Sequence, residues 1–216
     1  MSEQQSDKQI LSDLAPASLA DATVRGFLGN LGAKIPAPGG GASACITGAI
    51  SAAQGRMVVA YSLGKKNLTE HQGVLADADQ RLARATTLFV ALADEDARAY
   101  SYLNELERLP ESDPRRSELP AARKLATDVP RSSVAAANEV LRVLESIVGK
   151  SNPHLRSDLG IAAVLASAAA RSGAWNVWIN ARSLPEPAKA ELESEMDHAV
   201  RDAETRARAI EAACRV

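Results

Sequence analysis

The sequence has 216 residues, a length typical of one domain, and its 25 basic and 27 acidic residues are well mixed. The formal net charge of −2 gives no reason to expect binding to nucleic acid or to an anionic membrane surface. Its two cysteines, Cys45 and Cys214, lie far apart and its three histidines are scattered, so we expect neither a disulfide framework nor a metal site. The lack of a disulfide pattern leads us to expect a protein of the reducing cytoplasm.

Residues 1–17 are polar and lack the apolar core of a signal peptide, so we interpret them as a flexible leader before a helical domain of residues 18–216. Alanine is abundant, and no hairpin or strand pattern occurs. The sequence therefore predicts an all-α, single-domain bundle of long antiparallel helices.

Six helical segments are predicted, and capping boxes that begin at Ser18 and Thr69 open the first and the third. The second is long and carries only one charge, but it is too weakly apolar for a membrane span and is typical of a tightly packed buried helix. Pro130 lies inside the fourth and deprives the carbonyl of Ala126 of its helical partner. The segments are residues 18–34, 42–63, 69–109, 113–148, 157–182 and 186–214.

Asp96 occupies a position of the third segment where the pattern requires an apolar residue. The surrounding seam has the three-and-four spacing of a left-handed helix bundle and consists of Leu75, Ala78, Leu82, Ala85, Phe89, Leu92, Ala99, Leu103 and Leu106. A carboxylate on such a stripe is costly unless it is paired or used, and we expect the neighbouring Asp94 and Glu95 to raise its pKa. It is therefore a candidate general base, unless it pairs with a basic residue or the seam opens to solvent there.

Glycines and lysines stand at the two ends of the second segment. Gly39, Gly40 and Gly41 end a proline-rich loop and lead into the helix, where backbone N–H groups are able to meet a polar ligand, although a tight turn also explains them. Lys65 and Lys66 follow its C-terminus, where they are either ordinary partners of the helix dipole or a cradle for an acidic ligand tail.

Polar residues also surround the fifth segment. Asn152, Ser157 and Asp158 precede or begin it, and helix capping explains them as well as ligand binding does. Asn176 and Asn180 lie four residues apart on one face between apolar residues, where buried amides need partners such as a polar heterocycle.

Six short segments, in this order and spacing, resemble the C-terminal family of formiminotransferase-cyclodeaminase. That family includes separate methenyltetrahydrofolate cyclohydrolases and formiminotetrahydrofolate cyclodeaminases. Tyr100, Glu111 and Arg131 depart from its usual residues. The matching segments are IPAPGGG at 35–41, LGKK at 63–66, DEDA at 94–97 with LP at 109–110, TDVP at 127–130, SDLG at 157–160 and NVWIN at 176–180.

The resemblance implies a homodimeric enzyme that binds a tetrahydrofolate derivative near the subunit interface and requires no cofactor. It implies hydrolysis of 5,10-methenyltetrahydrofolate, with Asp96 as the base, Asp94 or Asp158 stabilising the cation or orienting the pterin, and Lys65 and Lys66 near the glutamate tail or an oxyanion. The alternatives are formiminotetrahydrofolate cyclodeaminase activity and a non-catalytic folate-binding scaffold. The expected substrate-binding residues are Pro38, Gly39, Gly40, Gly41, Ser43, Lys66, Asn152, Asn176 and Asn180.

Overall fold

A computed structural model describes residues 18–182 and 184–215; the predicted leader, residues 1–17, lies outside them. The described part consists of six α-helices and short 3-10 turns without a β-strand, which confirms the predicted all-α bundle. None of its helices is long and apolar enough to cross a membrane. The helices are α1 (Val24–Leu31), α2 (Gly40–Ala60), α3 (Gln72–Arg108), α4 (Leu119–Ser146), α5 (Arg156–Ala181) and α6 (Ala188–Cys214).

The five long helices run up and down in chain order. Helix α2 packs against α3 and α5, α4 packs against the same two helices, and α6 covers α4 and α5. The antiparallel pairing of α2 with α3 is visible from its contacts, since Gly41 lies against Asp96 and Arg56 binds Asp79 at 2.8 Å. The predicted antiparallel arrangement is therefore confirmed.

Helix α2 is central because its small residues let its neighbours approach closely. A Cβ atom added at Gly48 would lie 2.4 Å from the ring of Phe89, and one added at Gly55 would lie 2.5 Å from a methyl group of Leu144. A side chain at either position would therefore force Phe89 or Leu144 to move within the packed core. The apolar seam of α3 faces this helix, and its fully buried members include Leu75, Leu82 and Phe89.

The first predicted helix is wrong in its starting point. Ser18 caps only a short 3-10 turn, Leu19–Asp21, and α1 begins at Val24 after Thr23, whose hydroxyl accepts a hydrogen bond from the N–H of Gly26 at 3.0 Å. The chain cannot continue as one helix from Ser18 because the backbone is extended between the turn and α1. Ser18 and Leu19 instead donate hydrogen bonds to Asp94 of α3, and helix propensity is weak enough for such contacts to override it.

The capping box predicted at Thr69 is also wrong. The Thr69 hydroxyl donates to the carbonyl of Lys66 at 2.7 Å, within a 3-10 turn, and α3 begins only at Gln72. The Gln72 side chain reaches away from its own helix, since its Oε1 accepts from the N–H of Gly64 at 2.8 Å. These local residues therefore hold the α2–α3 connection instead of opening a helix.

Candidate active site

A cavity of about 310 Å³ opens where the N-terminus of α2, the middle of α3 and the C-terminal part of α5 meet. Its size suits part of a small-molecule ligand. Among the residues that the sequence singles out, its wall contains Pro38, Gly39, Gly40, Gly41, Asp96, Asn176 and Asn180. The structure thus brings together positions that are more than 100 residues apart in the sequence.

Asp96 contacts the first turn of α2. A Cβ atom added at Gly41 would lie 2.0 Å from Oδ1 of Asp96, so only glycine permits this approach. The carboxylate accepts a hydrogen bond from the backbone N–H of Ala42, a group that a helix normally offers to its own capping residue. Helix α2 has no side-chain cap of its own at Gly39, so Asp96 serves as its cap from another helix.

The position of Asp96 raises the pKa of its carboxyl group above the ordinary value of 3.8. Burial is the main cause, because a low-dielectric surrounding disfavours the charged form, and the hydrogen bond from Ala42 opposes it. The expectation that the charges of Asp94 and Glu95 would raise this pKa is wrong, since burial causes the shift. No ion pair engages Asp96 within the described residues, so the predicted alternative of a basic partner is not realised there.

Cys45 lies behind Asp96, one turn further along α2. It is 1% exposed, and burial together with the nearby Asp96 charge raises the pKa of its thiol to about 12, against a hydrogen bond with Ser133 that lowers it. The group is therefore a neutral thiol near neutral pH and not a thiolate nucleophile.

Asp94 faces a different side of α3 from Asp96, as expected for residues about 200° apart around a helix. Its two carboxylate oxygens accept hydrogen bonds from the hydroxyl of Ser18 at 2.6 Å and from the N–H of Leu19 at 2.7 Å. Asp94 thereby fixes the segment before α1 onto α3. It lines an adjoining cavity and not the one that contains Asp96.

The two asparagines of α5 have different surroundings. Nδ2 of Asn180 donates to the carbonyl of Ala126 at 2.7 Å, the same carbonyl that Pro130 leaves without a helical N–H. Nδ2 of Asn176 donates to the carbonyl of Ser172 at 2.9 Å, and its amide oxygen lies 3.4 Å from the place of a Cβ atom at Gly40. Both line the cavity, but Asn180 has a clear structural task as well.

Ser43 stands beside the cavity and stabilises the turn that forms it. Its hydroxyl donates to the carbonyl of Gly39 at 3.0 Å, and its N–H bonds to the same oxygen at 3.0 Å. The side chain therefore fixes the glycine loop.

The remaining predicted site residues lie at the opposite end of α2. Lys65 and Lys66 follow that end, where the N–H of Asn152 donates to Oγ of Ser62 at 2.8 Å. Asp158 accepts a hydrogen bond from Gln54 at 2.8 Å near the same end. Since a helix rises 1.5 Å per residue, Lys65 and Lys66 lie about 30 Å from the glycine loop of their own chain, and Gln54, which binds Asp158, lies about 20 Å along α2 from it.

Tyr100 is a cavity residue that the sequence pattern did not assign to the site. It stands four residues after Asp96, on the same face of α3, and its side chain is 50% exposed. The spacing of four was the available signal, since residues so related are neighbours on a helix surface. Within the described part of the chain, no group of three or more His, Cys, Asp and Glu residues is arranged to hold a metal ion.

Comparison with known proteins adds sequence relatives to this geometry. A family model described as formiminotransferase-cyclodeaminase matches residues 23–198. The methenyltetrahydrofolate cyclohydrolase of Methylorubrum extorquens is 35% identical over 177 residues, which cover 78% of this chain and 84% of that protein. The formimidoyltransferase-cyclodeaminase of Gallus gallus is 29% identical over 163 residues, which cover 73% of this chain and 30% of that longer protein.

A solved structure has the same fold. The crystal structure of formiminotetrahydrofolate cyclodeaminase from Thermotoga maritima matches with a TM-score of 0.80, covering 89% of this chain and 97% of that chain. Sequence identity in this match is 22%, so it establishes the architecture of the bundle and nothing finer.

Proposed function

Because the chain belongs to the formiminotransferase-cyclodeaminase family, we propose that it hydrolyses 5,10-methenyltetrahydrofolate to 10-formyltetrahydrofolate, with Asp96 as the general base. The observation that carries the proposal is a partly buried carboxylate with a raised pKa, held against a glycine turn in the wall of a cavity. Such a carboxylate is better suited to accept a proton near neutral pH than an ordinary aspartate is. The name of the Methylorubrum extorquens relative supports the choice of substrate.

The proposed reaction adds water to the cationic methenyl carbon. The water oxygen bonds to that carbon while one of its protons passes to the Asp96 carboxylate. The bond between the carbon and N5 then breaks, its electron pair stays on N5, and N5 takes the proton from Asp96. The hydroxyl group left on the carbon loses its proton as the formyl C=O forms, so one water is consumed and one proton is released.

The rest of the cavity supplies groups that suit a pterin ring. Asn176 offers an amide oxygen, and Tyr100 offers an aromatic surface on which a flat heterocycle can stack. The backbone N–H groups at the start of α2 provide donors and a positive helix end for an oxyanion. Together with the negative charge of Asp96, these groups match a cationic heterocycle that passes through a tetrahedral intermediate.

We also propose that the protein is a homodimer whose subunits meet through α2 and α5. Both helices, and Tyr61 directly after α2, expose apolar side chains, and these form what we term the α2–α5 face: Ile50, Tyr61, Ile161, Val164, Trp175 and Ile179. Exposed apolar patches of this kind are typical of interaction surfaces. Ile179 also lines the cavity, so the face continues to its rim, and a partner subunit is the route by which Lys65, Lys66 and Asp158 would reach it.

Cyclodeamination of formiminotetrahydrofolate is the second candidate. The name of the Gallus gallus protein favours it, and the same base would serve ring closure with release of ammonia. Both reactions use a folate bound at the same carboxylate, so the cavity alone does not choose between them.

Purified protein assayed with both folates tests the proposal. We expect loss of the methenyltetrahydrofolate absorbance to be accelerated well above the uncatalysed rate, and formiminotetrahydrofolate to be converted slowly or not at all. Faster conversion of the formimino compound, with ammonia release, would establish the second candidate. If the protein converted neither folate, the remaining alternative would be a non-catalytic folate-binding scaffold.

A further inference from the structure

A second cavity of about 580 Å³ adjoins the candidate active site. The two cavities share a wall made of Pro36, Ala37, Pro38 and Ala97. On the α3 side, the second cavity is lined by Asp94, Arg98, Ser101, Tyr102 and Glu105, which lie on one face of the helix. We refer to it as the α3 groove.

The two carboxylates and the tyrosine hydroxyl that line the α3 groove already have partners within the protein. Asp94 accepts hydrogen bonds from Ser18 and Leu19, the Tyr102 hydroxyl bonds to Glu118, and Glu105 forms an ion pair with Arg115. Arg98 differs from them, since it has neither an ion pair nor a side-chain hydrogen bond within the part of the chain that the structure describes. Its guanidinium group is exposed and available to an anion.

Arg98 and Asp96 lie on opposite sides of α3, with Ala97 between them. Ala97 belongs to the walls of both cavities, and its side chain is a single methyl group. A ligand whose reacting ring lies beside Asp96 can therefore extend over Ala97 into the α3 groove. Leu19, Pro36 and Pro38 give the α3 groove an apolar side, which suits an aromatic spacer.

We propose that the α3 groove binds the p-aminobenzoylglutamate portion of the folate and that Arg98 binds a carboxylate of its glutamate. The proposal rests on the proposed function and adds a specificity-determining residue to it. The planar guanidinium group presents paired N–H donors that match the two oxygens of a carboxylate. The spacer lies on the apolar wall while the pterin remains at Asp96.

Lys65 and Lys66 are the competing cations for the same tail. They lie about 30 Å from the glycine loop of their own chain, the length of α2. They can contact a folate in the cavity only from a partner subunit, whereas Arg98 belongs to the chain that carries Asp96. If Arg98 binds the glutamate tail, substitution of Arg98 should weaken folate binding. If the lysines bind it, substitution of Lys65 and Lys66 should do so instead.

The test compares two substrates that differ only in the tail, 5,10-methenyltetrahydrofolate and 5,10-methenyltetrahydropteroate, which lacks glutamate. Wild-type protein should have a KM about tenfold lower for the glutamate-bearing substrate, the effect expected for one charge-assisted hydrogen-bonded pair at a partly exposed site. Arg98→Gln should raise that KM to the value for the pteroate, leave the pteroate KM unchanged and leave kcat within about twofold. Arg98→Lys should restore part of the difference.

Arg84→Gln is the matched control, because Arg84 is another exposed arginine on nearly the same face of α3, four turns earlier. It should behave as wild type. Equal KM values for the two substrates in wild type would overturn the assignment of Arg98 while leaving the proposed function intact. The assignment would also be overturned if the double variant Lys65→Gln, Lys66→Gln lost the difference in KM between the two substrates while Arg98→Gln kept it. If the protein neither turned over nor bound either compound, both proposals would be overturned together.

Discussion

Asp96 serves two purposes that a single substitution can separate. Its carboxylate caps α2 by accepting the N–H of Ala42, and it presents a partly buried acidic group to the cavity. An amide of the same shape can still accept that hydrogen bond, but it cannot accept a proton as a base. The cap and the catalytic role are therefore distinguishable experimentally.

Gly41→Ala is predicted to damage the site more than the fold. The new methyl group would lie 2.0 Å from Oδ1 of Asp96, so the carboxylate must move, and a misplacement of about 1 Å can lower turnover on the order of 100-fold. Steady-state kinetics and urea unfolding of the same preparation check this. Gly73→Ala is the control, since a Cβ atom there meets nothing within 4 Å. Turnover equal to wild type in Gly41→Ala would contradict the assigned position of Asp96.

The pattern of α3 was sufficient to predict Asp96 as a candidate, because a charged residue interrupts an apolar repeat. It could not predict why the pKa rises, since that depends on burial between helices and not on sequence neighbours. Arg98 was missed for a related reason. An exposed arginine on a helix is ordinary in a sequence, and only the shared cavity wall distinguishes it.

At the scale of the helices, Pro130 and Asn180 form a pair that spans α4 and α5. Pro130 removes the N–H that would bond to the Ala126 carbonyl, and Nδ2 of Asn180 replaces it at 2.7 Å. Asn180→Ala should lower the free energy of unfolding by about 1–3 kcal/mol, the cost of leaving a buried carbonyl without a partner. Equilibrium urea unfolding measures this.

The control for that prediction is the double-mutant cycle with Pro130→Ala. Alanine at position 130 restores the N–H, so Asn180→Ala should cost less in that background than in wild type. Equal costs in the two backgrounds would show that the Ala126 carbonyl does not explain the presence of Asn180. A rise in KM without any change in stability would instead favour its predicted role in substrate binding.

Helix existence and type followed from the sequence, but three helix starts did not, since α4 begins at Leu119 after a 3-10 turn, Pro114–Glu118, and not at Asp113. The apolar periodicity of α3 and the alanine content of α5 are strong signals over many residues. The starts of α1 and α3 depend on Asp94 holding Ser18 and on Gln72 reaching Gly64, contacts that sequence spacing does not reveal. The Ala126 carbonyl was predicted to lose its partner, whereas its replacement by Asn180 required the packing of α5 on α4.

At the scale of the whole molecule, the predicted site residues divide between the two ends of α2. The cluster around Asp96 lies at one end, and the cluster with Lys65, Lys66 and Asp158 lies at the other. The sequence could not separate the two clusters, because short motifs in the right order say nothing about which helix ends meet. A two-fold arrangement through the α2–α5 face is the simplest way to join them.

Ile161→Glu is predicted to dissociate the proposed dimer. Ile161 is 50% exposed on the α2–α5 face, and a charge there would have to be buried without a partner at the interface. Sedimentation should show a wild-type dimer and a variant monomer with reduced turnover. Leu88→Glu, which changes an exposed leucine of α3 outside this face, should remain dimeric. A fully active wild-type monomer would contradict the proposed assembly.

The central claim is that Asp96 is a partly buried base, and Asp96→Asn tests it most directly. Because the native pKa lies above the unfolded value of 3.8, the native protein binds more protons than the unfolded chain between those two values. This contribution to the free energy of unfolding is present below that window and is lost as pH rises through it. The variant lacks the contribution, so its stability should fall less between acidic and neutral pH.

The decisive measurement is turnover of 5,10-methenyltetrahydrofolate across pH by wild type and by Asp96→Asn, with urea unfolding of the same samples. We predict a folded variant with kcat lowered about 100-fold or more, the usual effect of removing a general base. Wild-type activity should rise with pH through the raised pKa of Asp96, and the variant should lack that rise. A folded variant whose turnover stays within a few-fold of wild type would contradict the assignment.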